Sequence, residues 1–178
     1  QAVAALDDKP TKAKAREMLR MTQDINDKYL AGLAVRDNPP VRVECITCHR
    51  GVTEPRKLQD VLTQTYDAKG IDSTLAWYQA LRDKYYGRAA YDFGEVPLAD
   101  AAFRLQGGGH AVDAQRLLAL NVEMNPKSAF AKRQMAAVTI ELAYRSSGRA
   151  AAGDASYADL KSRFGADIVN EDLMNNVG

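Results

Sequence analysis

Two thiols and an imidazole stand within five residues, Cys45-Ile46-Thr47-Cys48-His49. This C-x-x-C-H spacing is that of covalent c-type haem attachment. Each thiol can add its S–H across one of the two vinyl groups of a single porphyrin, and the adjacent imidazole can bind the iron from below. Because His49 directly follows Cys48, one short turn fixes both attachment and proximal ligation. Two other chemistries use C-x-x-C: a redox dithiol and half of a zinc site. The dithiol expects a βαβ unit, and no hydrophobic strand pattern flanks the motif. A structural zinc site takes four donors, whereas the sequence holds two cysteines and two histidines, His49 and His110, far apart in the chain. One covalently attached haem c is therefore the expected cofactor.

What stands on the opposite face of the iron decides the function. A thioether there makes a low-spin electron-transfer centre of raised potential, whereas an open face admits ligands or catalysis. The candidates are Met18, Met21, Met124, Met135, Met174 and His110. Met18 and Met21 are three apart upstream of the motif, and Thr22 and Ile25 extend the same helical stripe. A methionine on an apolar helix face ordinarily packs in a core. Here a covalent group nearby in sequence offers the pair a second use. His110, after three glycines, reads as a surface or capping residue. Arg50 suits a haem propionate through its planar fork, with a solvated arginine as the alternative. Thr47 is expected to point outward.

The elements that position these residues read as helices. Residues 1–10 form a loose arm. Thr11 is placed to cap a long helix through about Leu33, on the spacing of Met18, Leu19, Thr22, Ile25 and Tyr29. Asp37-Asn38-Pro39-Pro40 stops it, and an extended piece, Val41 to Glu44, leads into the motif. The remaining helices are expected over 58–66, 74–86, 98–105, 112–124, 128–146 and 157–164, broken at Lys69-Gly70, Gly87, Gly94, Gly107-Gly108-Gly109, Pro126 and Gly148. The terminal Leu173-Met174-Asn175-Asn176-Val177-Gly178 could begin another. Strand signals are scarce, so the fold class is all-α. Tyr85, Tyr86, Tyr91 and Phe93 form an aromatic cluster expected to pack between the haem part and the later helices, with a docking surface as the alternative.

At 178 residues and a formal net charge of +1, the chain can bury a core and shows no electrostatic case for nucleic acid. No apolar run approaches the ~20 residues that span a bilayer. The sequence opens at Gln1 rather than Met, which suits a processed, exported protein or a trimmed one.

From Pro97 to Gly148 the pattern resembles tetratricopeptide repeats, helix–turn–helix units of about 34 residues with a closing proline. Ala101, Ala102, Leu105, Ala114, Leu118, Val122 and Pro126 carry that resemblance, Leu98 stands where the repeat expects an aromatic, and an ordinary helical bundle is the alternative. A second one rests on Ala15-Arg16-Glu17-Met18-Leu19-Arg20-Met21-Thr22-Gln23-Asp24-Ile25-Asn26 followed by Cys45-Ile46-Thr47-Cys48-His49-Arg50-Gly51. This run is similar to a haem-binding segment of the cytochrome subunit of bacterial photosynthetic reaction centres, over about residues 11–56. The resemblance implies a helix running alongside the haem plane, Met18 as the distal axial ligand with His49, and Met21 packed against the porphyrin. Members that serve reaction centres usually carry four such segments, and this sequence carries one. The loop before Cys45 is also longer, with Pro39-Pro40 inside it.

Two domains follow: 1–56, a haem c segment, and 57–178, a helical tetratricopeptide-like region. The expected function is that of an exported, periplasmic monohaem cytochrome, an electron carrier rather than an enzyme. It would pass single electrons to or within a membrane-associated redox complex, a photosynthetic reaction centre being one candidate. A fixed assembly subunit of such a complex is the alternative, and a peroxidase or sensor with an open sixth site is a third reading.

Overall fold

The computed structural model describes residues 9–34, 37–147 and 150–175. Residues 1–8 of the arm expected over 1–10, the break at Gly148 and the last three residues lie outside them, while Lys9 and Pro10 already belong to the start of a helix. The described residues form helices and connecting turns with no strand, and the fold is all-α. By contacts the chain divides into two compact units, Gln1–Pro55 and Arg56–Gly178.

The first unit opens with α1 (Pro10–Asp24), continues as a π-helical segment (Ile25–Leu30), and ends in the short α2 (Cys45–His49). Thr11 is not the cap. Pro10 occupies the first turn, where its fixed φ suits a helix start, and Lys9 stands at the N-cap without a side-chain bond. Nor is the helix uniform to Leu33. The Ile25 N–H is shared between the carbonyls of Met21 and Thr22, and Ala31 N–H reaches back five residues to Asn26 O. Polar side chains widen it there: the Thr22 hydroxyl donates to Leu19 O, and the Asn26 amide donates to Thr22 O. Residues 41–44, expected to be extended, have no regular secondary structure, and Glu44 is extended (φ −123°, ψ 170°).

The second unit holds α3 (Leu58–Tyr85), α4 (Glu95–Gly107), α5 (Ala111–Met124), α6 (Ala129–Ser147), α7 (Ala150–Phe164) and α8 (Glu171–Asn175). The break expected at Lys69-Gly70 is a bend inside α3. Gly70 there has φ 76° and ψ −178°, a conformation open only to glycine. Ser128 starts α6 by accepting Ala131 N–H on its hydroxyl (2.9 Å). α7 begins seven residues earlier than the expected Tyr157.

Spacing explains the packing. Leu98, Ala101, Ala102 and Leu105 make one buried stripe on α4, and Ala114, Leu117, Leu118 and Asn121 another on α5. The alanines let these two helices approach closely. They pack with Leu58, Leu62, Tyr78 and Leu81 of α3 and with Val138 of α6 into one core. The other side of α6, Ala136 and Ile140, builds a second core with Leu160, Val169 and Leu173. Asn121 is fully buried in the apolar stripe. Its amide donates to Glu95 O (2.9 Å) and its Oδ1 accepts from Asn125 (2.9 Å), so it ties the start of α4 to α5.

The aromatic cluster belongs to this unit. Phe93 is buried against Tyr78 (ring centroids 5.9 Å) and Tyr91 (6.1 Å), while Tyr86 is exposed beneath the Arg82 guanidinium, 4.2 Å from its ring centre.

Candidate functional site

The site is built from the turn outward. Glu44, extended, caps α2 through a reciprocal box: its side chain accepts the Thr47 N–H, and its own N–H donates to the Thr47 hydroxyl (3.0 Å). Thr47 is exposed, as expected, and in addition closes this box. One turn of helix puts Cys45 and Cys48, three apart, on the same side. Both are exposed and unpaired. His49 closes the helix and is half-buried.

The chain then reverses. Arg50 adopts the left-handed conformation (φ 48°, ψ 33°) and Gly51 follows at φ 87°. This returns Val52 to the histidine: Val52 N–H donates to His49 O (2.8 Å), and Val52 O lies 3.0 Å from His49 Nδ1. A carbonyl oxygen can only accept, so Nδ1 carries the proton. In the neutral ring the lone pair is then on Nε2, the tautomer a metal ligand needs.

Met18 (38% exposed) and Met21 (48%) lie on α1, which has no buried residue. Core packing is thus not what holds this pair. Thr22 and Ile25 are half-buried on the same stripe. By contrast, Met124 and Met135 pack against the core of the second unit. His110 is exposed at the N-cap of α5, makes no side-chain cap bond, and sets its ring edge-on to Tyr66 at 5.4 Å. Met174 lies in α8, and its side chain is outside the described set. Arg50 is exposed beside His49.

One residue brings the methionine helix and the cysteine segment together, and the sequence reading gives it no role. Asn26 donates to Val43 O (2.8 Å) and accepts from Val43 N–H (2.8 Å), two residues before Cys45. The signal available in the sequence was a polar residue on an otherwise apolar stripe, at i+4 from Thr22. Val52 was likewise invisible, since its part is played by backbone atoms.

The residues present fit a covalent haem. Two free thiols on one face, an adjacent imidazole with Nδ1 already satisfied, and an exposed apolar stripe bearing two thioethers are the donor set and cradle it requires. Among the described residues no group of three or more His, Cys, Asp or Glu is placed to hold a metal ion, as a zinc site would need. No helix among them is long and apolar enough to cross a membrane.

Residues 1–85 match the family model of the photosynthetic reaction centre cytochrome C subunit. The match takes in α1, α2 and the whole of α3. No curated protein and no solved structure matches the chain.

Proposed function

We propose that this chain is a monohaem c-type cytochrome that carries single electrons to or within a membrane-associated redox complex. Cys45 and Cys48 hold the haem by thioether bonds: each S–H adds across one vinyl group, sulfur bonding to carbon and the proton going to the neighbouring carbon, with no oxidant required. The two cysteines of the sequence suffice for one such attachment. His49 supplies the proximal nitrogen and Met18 the distal sulfur, while Met21, Thr22 and Ile25 line the ring and Arg50 meets a propionate. When bound, the haem supplies one-electron Fe(III)/Fe(II) chemistry.

The observation that carries this reading is the α2 turn, which presents both thiols and holds the His49 Nδ1 proton on Val52 O. That bond fixes the ring's orientation and makes the other nitrogen a better donor to iron. A thioether favours Fe(II), so His49 and Met18 pull the potential in opposite directions. Electron exchange between six-coordinate states needs little rearrangement, and the exposed α1–α2 unit is open to a partner's close approach. The family match supports a partner in a membrane complex such as a photosynthetic reaction centre, and hence an exported, periplasm-facing location.

The helices after Gly94 support a tetratricopeptide-like docking region. α4 pairs with α5 and α6 with α7, and from Glu95 to Ala129, the starts of α4 and α6, is about one 34-residue repeat. In that reading the chain is a fixed assembly subunit, and sedimentation of the holoprotein with membranes separates it from a diffusible carrier.

The test of ligation is an absorption spectrum of oxidised and reduced protein, wild type beside Met18→Ala and Met21→Ala. A low-spin c-type spectrum whose methionine–iron charge-transfer band disappears only in Met18→Ala is expected. Loss only in Met21→Ala moves the ligand by one turn. A high-spin wild type that binds carbon monoxide or peroxide readily establishes an open iron and the peroxidase or sensor reading.

A further inference from the structure

Asn26 uses its amide almost to capacity. Its two N–H donors go to Val43 O (2.8 Å) and Thr22 O (2.9 Å), and its Oδ1 accepts Val43 N–H (2.8 Å). Bonding both the N–H and the C=O of one residue reproduces a rung of an antiparallel ladder. Val43 is therefore fixed in register against the helix, and the C-x-x-C-H turn starts two residues later. The third bond anchors the amide to the helix at Thr22, where the α-helical pattern gives way to the π segment.

The angular order along the helix gives this clamp a consequence. At 3.6 residues per turn through Asp24, and less rotation per residue once the π segment begins, Asn26 stands roughly 40° or less from Thr22, 80° or less from Met18 and 140° or less from Met21. The stripe runs Met21, Ile25, Met18, Thr22, Asn26, and the edge pinned to Val43 is the one nearer Met18. Sliding or rotating the helix against residues 43–49 would exchange which sulfur is presented, and Asn26 is the contact that opposes it.

We propose that Asn26 is the positioning residue for distal ligation: by clamping Val43 it holds the methionine helix in the register that offers the Met18 sulfur to an iron bound by His49. The proposal rests on the His49/Met18 reading above. Asn26 touches neither the iron nor the sulfur; it acts through the backbone it holds.

The experiment titrates the ferric, haem-loaded wild type, Asn26→Ala and Asn26→Asp with imidazole, which competes with a thioether for iron, while following the methionine–iron charge-transfer band. Haem content and helicity serve as controls for folding. Asn26→Asp keeps the size and the Oδ1 acceptor but loses both donors, and puts a carboxylate against two carbonyls. Asn26→Ala loses both bonds to Val43 and the one to Thr22, and Asn26→Asp loses its two donor bonds; at ordinary net worth, two lost bonds predict imidazole binding tighter by about 10- to 100-fold in both variants, with a weakened band. Should either variant fail to fold, Val43→Pro removes the N–H that Oδ1 accepts and leaves Asn26 in place; the same direction of change, about half as large on a logarithmic scale, is expected. Variants that keep the wild-type band and wild-type imidazole affinity overturn the role of Asn26 and leave the ligand assignment standing. A wild type that lacks the band and binds imidazole directly overturns both.

Discussion

Replacing Gly51 by alanine tests whether the reversal after His49 controls the electronic character of the imidazole. The added Cβ meets nothing within 4 Å, so the cost comes from the backbone alone. At φ 87° a residue with a Cβ loses about 1–2 kcal/mol. The turn can instead relax toward negative φ, but then it gives up the Val52 N–H to His49 O bond and the His49 Nδ1 to Val52 O bond, each worth about 1 kcal/mol. The two routes are close in free energy, so the turn yields in part. The Nδ1 bond makes the imidazole a stronger donor and favours Fe(III), and weakening it raises the reduction potential. If the bond differs between oxidation states by about half to one kcal/mol, the rise is about 20–45 mV for a one-electron couple. Equilibrium redox titration of the holoprotein reads this directly. Gly51→Asn, which tolerates left-handed φ better, should fall between wild type and alanine. A potential that is unchanged or lower in a Gly51→Ala protein with intact haem attachment refutes the link between this turn and the iron.

The second unit makes its own predictions. Gly70→Ala places a Cβ at φ 76°, ψ −178°, where only glycine is at ease; a loss of about 1–3 kcal/mol is expected, near 4 °C per kcal/mol in thermal unfolding for a unit of this size. Asn121→Ala removes the amide that holds Glu95 O and Asn125 and leaves a small cavity, for about 2–3 kcal/mol by urea unfolding, whereas Asn125→Ala should cost about 1. The Tyr66 hydroxyl is pushed up to about 12 by burial first, then by its hydrogen bond to Asp113 and that carboxylate's charge. Folding therefore favours the neutral phenol: this contribution is complete below about pH 10 and is lost as pH rises through about 12. Denaturation midpoints for Tyr66→Phe should decline less steeply over that alkaline window; an identical decline would show that Tyr66 does not titrate with folding.

The all-α class and the helix periodicity were legible because both are local. The cysteines, His49 and the stripe from Met18 to Ile25 can be read from spacing, and so can the stripes of α4 and α5. Start and stop positions were less so. Thr11 looked like a cap until Pro10 took the first turn, and Thr47 looked idle although it closes a capping box with Glu44. The least legible features depend on backbone atoms or on φ values: Val52 O on His49, Asn26 on Val43 seventeen residues away, and a kink at Gly70 inside α3. No periodicity encodes which carbonyl a side chain finds across seventeen residues.

The same apolar residues meet different fates in the two units, and that contrast bears on function. Stripes on α4 and α5 face each other and vanish from the surface. The stripe on α1 carries Met18, Met21 and Ile25, yet Val52 is the one buried residue among those described in the first unit. A unit of about 55 residues has only a marginal protein core to rely on, and one with a single buried residue among those described gains from a covalent or metal staple. On the proposed reading a single porphyrin fixed to α2 would bring a large flat apolar surface to these exposed residues, and its attachment chemistry would supply the staple. The exposed methionines are then neither core residues nor surface accidents. On the proposed reading they are the polarizable half of a site whose other half is covalent, with the hydrophobic residues there spent on a cofactor rather than on a protein core.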